Sequence, residues 1–312
     1  MKIDLYTSDR FHQWNDFVKT SKNGLFLFDR NYMEYHADRF LDHSLMIYDD
    51  KGKILAILPA NLKNNILYSH QGLTFGGLIY GKKMRTPTIT DVIDALKKYC
   101  KDQGFKSLIY KAIPLFYHKQ PAQEDLYALH QSGAKAIRTD VSSTINMNND
   151  TYALSSGRKS GLAKAKNHGF KIEETDAYEN YFEILNQRLD EKYDSTATHN
   201  AIEMLLLAGR FPENIKLFGC TLDKELVSGV IMYEYGHVAH TQYIASSEKG
   251  REIGAQDHLL NHLINNIYKD YQYFDFGIST EDQGRVLNTT LIDQKEGFGA
   301  RATINQFFEL VF

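Results

Sequence analysis

The chain has 312 residues, and 36 Lys and Arg against 39 Asp and Glu give a formal net charge of −3. Hydrophobic residues make up 43% and charged residues 24%, which excludes disordered, collagen-like and low-complexity chains. The near-neutral charge provides no general attraction to nucleic acid, so we expect no DNA binding.

The first half of the chain begins with short strands. Apolar patterns predict strands over residues 45–50, 53–61 and 65–70, which form a meander joined by tight turns. A glycine-rich bend over 71–77 follows. Apolar residues at helical spacing then predict a helix over 90–103 that ends at Gly104, and a β-branched run predicts a strand over 107–113.

The same order of elements recurs roughly 170 residues later. Predicted strands over 215–222, 226–235 and 237–245 lead into a glycine-containing bend over 249–254, a helix over 256–269 and a strand over 273–278. The repeat predicts duplication of one α/β unit, an α+β arrangement with a mixed, mostly antiparallel sheet flanked by helices in each half.

Three helices are predicted between the halves, over residues 155–169, 178–192 and 199–209. The first of them is basic. A domain of about 150 residues is common, so the length favours two domains. We therefore expect an N-terminal domain over 1–150 and a C-terminal domain over 151–312.

Cysteine usage and apolar runs bear on metals and on location. Cys100 and Cys220 lie far apart and in no zinc-binding spacing, so no metal site is expected. The N-terminus lacks the apolar core of a signal peptide, and no run approaches the roughly 18 apolar residues that cross a bilayer. The sequence predicts a cytoplasmic protein without a transmembrane segment.

Several motifs of common enzymes are missing from the sequence. It contains no P-loop, no HExxH, no GxSxG elbow and no GxGxxG after a first strand. Nucleotide hydrolysis, zinc proteolysis and α/β-hydrolase chemistry are therefore not expected.

The segment Arg251-Glu-Ile-Gly254-Ala-Gln256-Asp-His-Leu259 lies where a predicted strand leads into a helix. Free amides at the start of a helix bind anions. The segment resembles the R/Q-x-x-G-x-G/A-x-x-L signature of the GNAT acetyltransferases, whose loop binds the pyrophosphate of coenzyme A. The resemblance implies donor-binding roles for Arg251, Gly254 and Gln256, although Gln256 replaces a small residue of the signature.

A second resemblance lies at the C-terminal end. Tyr273-Phe-Asp-Phe-Gly277-Ile-Ser-Thr-Glu281, followed by Lys295-Glu-Gly-Phe-Gly-Ala-Arg301, is similar to the end of FemAB-like proteins and their BioF2-like acyltransferase relatives in the GNAT superfamily. The resemblance covers mainly residues 155–312. It implies a tandem pair of GNAT-like domains that transfers an acyl or aminoacyl group to an amine.

The resemblance also extends to individual residues. It includes His240-Thr-Gln-Tyr243 and the basic helix RKSGLAKAKNHG, and it implies substrate-binding roles for Tyr243, Lys295 and Arg301. Arg158 and Lys159 near the start of the basic helix are candidates to bind a diphosphate, such as that of a nucleotide sugar. A merely solvated basic helix is the alternative interpretation.

Acyl transfer to an amine needs a base that removes protons from the attacking nitrogen. Glu281 is a candidate because it follows the C-terminal end of a predicted strand. Asp275 is a second candidate, because a carboxylate inside an apolar strand is paired or has a perturbed pKa, and a structural partnership with Lys295 or Arg301 stays open. His240 and His199 are the remaining candidates, with a core histidine and a helix start as their alternatives.

The leading hypothesis is an N-acyltransferase that moves an acyl group, most simply acetyl from acetyl-CoA, onto the amine of a nucleotide-linked amino sugar. The variant motifs resemble acyltransferases of surface-polysaccharide synthesis in the cell envelope. Neither cysteine has an evident histidine partner, so direct attack without a covalent enzyme intermediate is expected. Another acyl-CoA as co-substrate is equally open, and no metal is required.

Two alternatives remain at this stage. The first is aminoacyl transfer from tRNA to a peptidoglycan precursor, as in Fem proteins. It would need a continuous basic stripe, and outside residues 158–171 none is evident. The second is a non-catalytic ligand-binding module of the same fold, which the departure at Gln256 keeps open.

Overall fold

The computed structural model describes residues 1–148, 152–193 and 195–312. It contains two compact units. The first comprises Met1–Asp140, Asp282–Arg285 and Ile304–Phe312, and the second comprises Val141–Glu281 and Val286–Thr303. The expected boundary between residues 150 and 151 falls outside the described residues.

The elements follow one another through both units. Helices α1–α10 span Phe11–Thr20, Arg30–Met33, Thr86–Asp102, Glu124–Gln131, Ser156–Ala165, Tyr178–Tyr193, Ala201–Arg210, Glu248–Glu252, Ala255–His262 and Thr289–Glu296. Strands β1–β16 span Lys2–Leu5, Leu45–Tyr48, Ile54–Leu58, Asn61–Lys63, Ile66–Tyr68, Ile79–Tyr80, Ser107–Lys111, Lys135–Asn146, Lys171–Glu174, Ile215–Leu222, Glu225–Glu234, Val238–Ser246, Tyr273–Ile278, Thr280–Glu281, Val286–Leu287 and Arg301–Val311.

The first unit contains one sheet in the order β1-β2-β3-β6 and a second set of paired strands, β4-β5-β7-β16. The predicted single strand over 53–61 is wrong. Strand β3 ends at Leu58 in the first sheet, and β4 begins at Asn61 and pairs with β5 in the second set of strands. Pro59 lies between them and has no backbone N–H to donate to a ladder, which explains the break.

The predicted meander is also wrong, because β2 and β3 pair in one sheet whereas β5 pairs with β4 and β7 in the second set of strands. The other predicted helix and strands of the first unit are confirmed. Helix α3 buries Ile89, Val92, Ile93, Leu96 and Cys100 on one face against the core of this unit. Gly104 follows this helix with a φ of +73°, the left-handed conformation that favours glycine after a helix end. Strand β7 then pairs in parallel with β5 and antiparallel with β16.

The second unit has the strand order β8-β13-β12-β11-β10-β9. Strands β12 and β13 are parallel, whereas the other neighbouring pairs are antiparallel. The predicted strands here are confirmed, and the helix predicted over 256–269 is α9, which continues as a π-helical turn over Leu263–Ile267. The predicted mixed, mostly antiparallel sheet flanked by helices is therefore confirmed.

Some elements of the second unit escaped prediction. Strand β9 follows the basic helix α5 and forms the edge of the sheet. Three of its four residues are charged and exposed, so its sequence shows no clear alternation of apolar and polar residues. Helix α10, which carries the start of the KEGFGAR motif, was not predicted as a helix. Among the described residues, no helix combines the length and apolarity that a bilayer crossing requires.

Candidate active site

Two parallel strands of the second unit separate after a short pairing. Strands β12 and β13 share three register pairs, of which His240 with Asp275 is the last, although β12 continues to Ser246 and β13 to Ile278. Past that pair the strands diverge and leave a wedge between them. A cavity of about 430 Å³ lies there, since Ile244 to Ser246 of β12 and Phe276 of β13 line it.

The wedge cavity has contributions from helices as well as from the two strands. Its further lining residues are Arg158, Leu185, Arg188, Leu189, Arg251, Gly254, Gln256, Asp257, Leu260, Leu291, Gln294, Lys295 and Phe298. Four of these are cationic and one is acidic. The combination of an apolar body with excess positive charge suits a ligand that carries both an apolar chain and an anionic group.

The last register pair holds a histidine–aspartate contact. His240 Nδ1 lies 2.7 Å from Asp275 Oδ2, and both side chains are buried. Asp275 Oδ1 accepts hydrogen bonds from Ser142 Oγ and Thr144 Oγ1, each at 2.8 Å. A carboxylate can only accept, so Nδ1 carries the proton and Nε2 is left as the basic nitrogen. This arrangement suits a general base that is held in one tautomer.

The histidine–aspartate pair and the floor of the wedge cavity lie on opposite faces of the sheet. Side chains alternate along a strand, so Asp275 points away from the face to which Phe276 belongs. On the neighbouring strand, Tyr233 lies opposite His240, and its hydroxyl is 3.7 Å from Met204 Sδ of α7. Helix α9 lines the cavity on one face of the sheet and α6 lines it on the other. The cavity therefore passes between β12 and β13 from one face of the sheet to the other.

The predicted donor-binding segment is at the start of α9 and lines the wedge cavity. Gly254 precedes α9 with a φ of +76°, and no described side chain caps the helix. A Cβ on Gly254 would lie 2.3 Å from the carbonyl oxygen of Gly161 in α5. The absence of a side chain on Gly254 therefore allows α5 to pack directly against the turn. This packing explains a glycine at position 254 independently of any bound ligand.

The predicted diphosphate-binding residues on α5 have different surroundings. Arg158 lines the wedge cavity, forms an ion pair with Asp257 of α9 and lies 5.4 Å from the ring centroid of Phe298. Lys159, the next residue, is exposed. The helix thus brings one of the two predicted cations to the cavity.

Lys295 is buried at the end of strand β13. Its ammonium donates to the carbonyl oxygens of Gly277 at 2.9 Å and Ile278 at 2.6 Å. Burial lowers the pKa of Lys295 to about 8, and the nearby carboxylate of Asp275 opposes that shift. The lysine of the KEGFGAR motif therefore fixes the turn that follows the DFG sequence.

His240 and Asp275 do not themselves line the wedge cavity, and the remaining predicted site residues also lie outside its lining, as far as the described residues define it. Glu281 is exposed and accepts a hydrogen bond from Asn288 Nδ2 at 2.7 Å. His199 Nδ1 lies 2.7 Å from the Tyr243 hydroxyl, and burial raises the pKa of Tyr243. Arg301 is exposed and donates to the carbonyl oxygen of Ala300 at 2.7 Å.

Three residues of the site were not singled out from the sequence. Ser142 and Thr144 hold Asp275 from strand β8, and no motif in the sequence pointed to either residue. Arg188 lines the wedge cavity from α6. The sequence predicted this helix but did not indicate which of its residues face a ligand. Among the described residues, no group of three or more His, Cys, Asp or Glu side chains is arranged to hold a metal ion.

Comparison with known proteins agrees with this geometry. Residues 162–283 match the family model of the acetyltransferase (GNAT) domain. No curated protein matches the chain in sequence. The match covers the strands that form the wedge, the start of α9 and the histidine–aspartate pair. The resemblance to GNAT acyltransferases is therefore confirmed, and the second unit carries an acyltransferase domain.

Solved structures show the same fold over the whole chain. The crystal structure of FemX superposes with a TM-score of 0.68 at 12% identity, covering 100% of this chain and 98% of that chain. A conserved protein of unknown function from Bacteroides thetaiotaomicron gives 0.64 at 10% identity, with 100% of each chain covered. The L-PGS structure from Bacillus licheniformis gives 0.61 at 10% identity, with 99% and 93% covered. At such identities the likeness concerns the fold, and the GNAT-like fold is confirmed.

Proposed function

We propose that this chain, whose second unit carries the GNAT acetyltransferase domain, transfers an acyl group from acyl-CoA to the amine of a nucleotide-linked amino sugar in surface-polysaccharide synthesis. Acetyl is the simplest acyl group. The observation that carries the proposal is the cationic, apolar wedge cavity, which begins where the register pair of His240 and Asp275 ends, although neither residue of the pair lines it. Both substrates are cytoplasmic metabolites, so we place the reaction in the cytoplasm.

The wedge cavity provides complementary surroundings for each part of the donor. The apolar side chains of Ile244, Phe276 and Leu260 suit the acyl group and the chain that precedes it. Arg251 and the uncapped start of α9 suit a diphosphate, because guanidinium and helix-end amides both favour anions. Gln256 lines the cavity beside them, and its side chain narrows the space through which a diphosphate approaches the backbone.

In the proposed reaction, the nitrogen of the acceptor amine attacks the carbonyl carbon of the thioester. A C–N bond forms, the carbonyl oxygen takes the electron pair, and the C–S bond then breaks to release the thiolate of coenzyme A. The proton lost by nitrogen goes to Nε2 of His240, and Asp275 holds the resulting imidazolium. His240 accounts for the base better than Glu281, because Glu281 is exposed and bonded to Asn288.

The acceptor is proposed to approach on the face of the sheet that carries His240. The partly buried His199–Tyr243 pair lies on that face and offers a polar contact for the acceptor. Arg158 lines the cavity on the α9 side, opposite the face of His240, so it can meet a diphosphate of the acceptor only if the acceptor extends through the wedge; Lys159 and Arg301 are exposed. Their role in substrate binding remains a prediction.

Aminoacyl transfer from tRNA, as in the Fem-type alternative, is favoured by one observation. Helix α5 packs so tightly on Gly254 that its backbone covers part of the turn where a coenzyme A diphosphate is expected. The same helix carries exposed cations, Lys159, Lys164 and Lys166. These features suit the phosphates of RNA, which exposed lysines bind.

Calorimetric titration separates the two donors. We expect acetyl-CoA to bind the full chain, and Arg158→Ala to weaken binding of a uridine diphosphate amino sugar while leaving acetyl-CoA binding unchanged. Equal loss of both ligands would refute the acceptor role of Arg158. Salt-sensitive binding of aminoacylated tRNA without any binding of acyl-CoA would favour the alternative, because phosphate contacts release counterions.

A further inference from the structure

Helix α7 carries apolar residues on two faces. Met204 and Leu207 are completely buried on its inner face. On the outer face, Ile202, Leu205 and Leu206 are 77%, 54% and 45% exposed. A surface helix ordinarily turns one apolar face to the core and a polar face to solvent. The second apolar face of α7 is therefore a candidate interaction surface.

The exposed residues of α7 form one continuous stripe. Residues on the same face of a helix recur at spacings of three and four, and Ile202, Leu205, Leu206 and Gly209 follow that spacing. We call these four residues the outer stripe. A Cβ on Gly209 would meet no atom within 4 Å, so the space beside this glycine is open. The stripe thus has a large apolar side chain near one end and a gap near the other.

The shape of the outer stripe is complementary to itself. Consider two α7 helices that pack antiparallel about a two-fold axis passing between Leu205 and Leu206. Position 202 of each helix then lies opposite position 209 of the other, as an isologous contact requires. Ile202, the most exposed residue of the stripe, fits the space that Gly209 leaves open. The leucines lie beside the axis, where each meets its own counterpart.

The charges beside the outer stripe follow the same symmetry. Glu203 lies in the first turn of α7 and Arg210 in the last, and a spacing of seven residues places both along one side of the stripe. The two-fold arrangement brings Glu203 of each copy towards Arg210 of the other, which gives two pairs of opposite charge. Glu203 Oε2 accepts from the backbone N–H of Asn200 at 3.0 Å. A carboxylate accepts several hydrogen bonds, so this cap and the pairing are compatible.

A lipid surface could also cover exposed apolar residues, but the charges on the other side of α7 disfavour it. Leu205 lines a groove together with Glu173, Glu174 and Asp176, against one lysine, Lys216. Helices that lie on membranes are rich in cations, which anionic lipids attract. An acidic groove beside the stripe opposes that attraction, whereas the charges of the stripe's own border complement a second copy.

We propose that the outer stripe of α7 is the interface of a homodimer, in which the α7 helices of two copies pack antiparallel about a two-fold axis. The proposal does not depend on acyl transfer. The stripe contains far fewer residues than the roughly 20–30 per partner of a standard interface. We therefore expect a weak dimer, with a dissociation constant of about 10–100 μM.

The experiment is sedimentation equilibrium of the full chain over a concentration range that extends well above and below that constant. Ile202→Gln and Leu206→Gln should each raise the dissociation constant at least about tenfold, because a two-fold interface loses every apolar contact twice. Leu41→Gln is the matched control, because Leu41 is 69% exposed and belongs to the first unit. It should leave the constant unchanged. Glutamine is a good helix former, and circular dichroism checks that α7 persists.

Two further variants test the antiparallel pairing itself. Gly209→Leu adds apolar surface to the outer stripe but fills the space opposite Ile202. The pairing predicts that this variant weakens the dimer about tenfold, because overpacking forces the helices apart. Arg210→Glu places like charges opposite Glu203 and should weaken the dimer as well. A Gly209→Leu protein that dimerises more tightly than wild type would overturn the pairing.

The other outcomes decide the interface. Wild type that stays monomeric throughout the concentration range would overturn the homodimer. A dimer that Ile202→Gln and Leu206→Gln leave intact, or that Leu41→Gln weakens equally, would show that α7 is not its interface. Vesicles of phosphatidylglycerol and phosphatidylcholine provide the remaining comparison. A monomeric wild type that floats with these vesicles, together with an Ile202→Gln variant that does not, would assign the stripe to a lipid surface and overturn the proposal.

Discussion

His240 and Asp275 are the last residues to pair before strands β12 and β13 separate, and 2.7 Å joins Nδ1 of the histidine to Oδ2 of the aspartate. The wedge cavity begins where this pairing ends. One contact thus fixes the tautomer of the proposed base and marks the place where a ligand can pass between the strands. The hydroxyls of Ser142 and Thr144 occupy the other oxygen of Asp275.

The first prediction concerns the proposed base. His240→Gln should lower the turnover number by roughly 100-fold or more, because loss of a general base has effects of that size. Asp275→Asn should also lower it, because an amide can donate to Nδ1 and so place the proton on Nε2. Initial rates of acyl transfer, with acyl-CoA affinity measured in parallel, check both changes.

Glu281→Gln is the control for that prediction. Glu281 was a candidate base from its position after a strand, but it is exposed and accepts a hydrogen bond from Asn288, whereas His240 is buried and held by Asp275. We expect this variant to keep nearly full turnover. Loss of turnover in Glu281→Gln together with full activity in His240→Gln would contradict the assignment.

The second prediction concerns the pH dependence of stability through Lys295. Burial lowers its pKa from 10.5 to about 8, so between these values the unfolded chain binds a proton that the folded protein has released. The free energy of unfolding contributed by this group therefore rises with pH across that window. Chemical denaturation should show wild type gaining stability relative to Lys295→Met from about pH 8 to about pH 10.

An exposed lysine provides the comparison for Lys295. Lys159→Met removes a charge from the exposed surface of α5 and controls for the loss of one lysine charge and side chain. Lys295→Met should in addition be destabilised at every pH, because the carbonyl oxygens of Gly277 and Ile278 lose their donor. A constant difference between wild type and Lys295→Met across the window would refute the lowered pKa.

Sequence patterns predicted most of the strands and helices because their apolar periods are regular. The wedge was beyond prediction, since it depends on how far β12 and β13 remain paired, and no residue type marks that limit. The DFG and KEGFGAR motifs identified Asp275 and Lys295, but their partners lie far away in sequence. Ser142 on β8, for instance, meets Asp275 only through the sheet order.

Position also decided which candidates belong together. Arg251, Gly254 and Gln256 were predicted from one short segment, and the turn before α9 keeps them in one place. Glu281 and Asp275 are six residues apart in sequence but have different surroundings, because strand β13 ends between them. The short segment was enough to place Arg251, Gly254 and Gln256 together, whereas the structure was needed to separate Glu281 from Asp275.

The third prediction concerns the packing of α5 on the turn before α9. Gly254→Ala would place a Cβ 2.3 Å from the carbonyl oxygen of Gly161 at a φ of +76°. Both effects are unfavourable, so we expect a loss of about 1–3 kcal/mol in the free energy of unfolding. Thermal and chemical denaturation of the purified variant measure it.

Gly209→Ala is the contrasting substitution. Gly209 lies in helix α7, and a Cβ there would meet no atom within 4 Å. Alanine is the better helix former, so this variant should be stabilised by about 0.5–1 kcal/mol. A Gly254→Ala protein as stable as Gly209→Ala would show that α5 does not pack on the turn as described.

The fourth prediction concerns a buried carboxylate of the first unit. Asp125 accepts hydrogen bonds from the hydroxyls of Tyr110 and Tyr80, and burial raises its pKa from 3.8 to about 6. The folded protein then holds a proton that the unfolded chain has lost between these values. Stability from this group is therefore complete below about pH 4 and is lost as the pH rises through about 6.

Asp125→Asn removes that titration while keeping an oxygen that accepts from Tyr110. The free energy of unfolding of wild type, relative to this variant, should fall by up to about 3 kcal/mol between pH 4 and pH 7. Denaturation at both pH values measures the difference. A difference that does not change with pH would show that Asp125 titrates in the same range in both states.

The measurement that tests the central claim most directly is transfer itself. The full chain is mixed with acetyl-CoA and a uridine diphosphate amino sugar, and the acetylated sugar is detected by mass spectrometry while donor binding is followed by calorimetry. The account predicts micromolar donor binding, and amide product that disappears in His240→Gln although the donor still binds. Absence of acetyl-CoA binding, or undiminished product with His240→Gln, would contradict acyl transfer at the wedge.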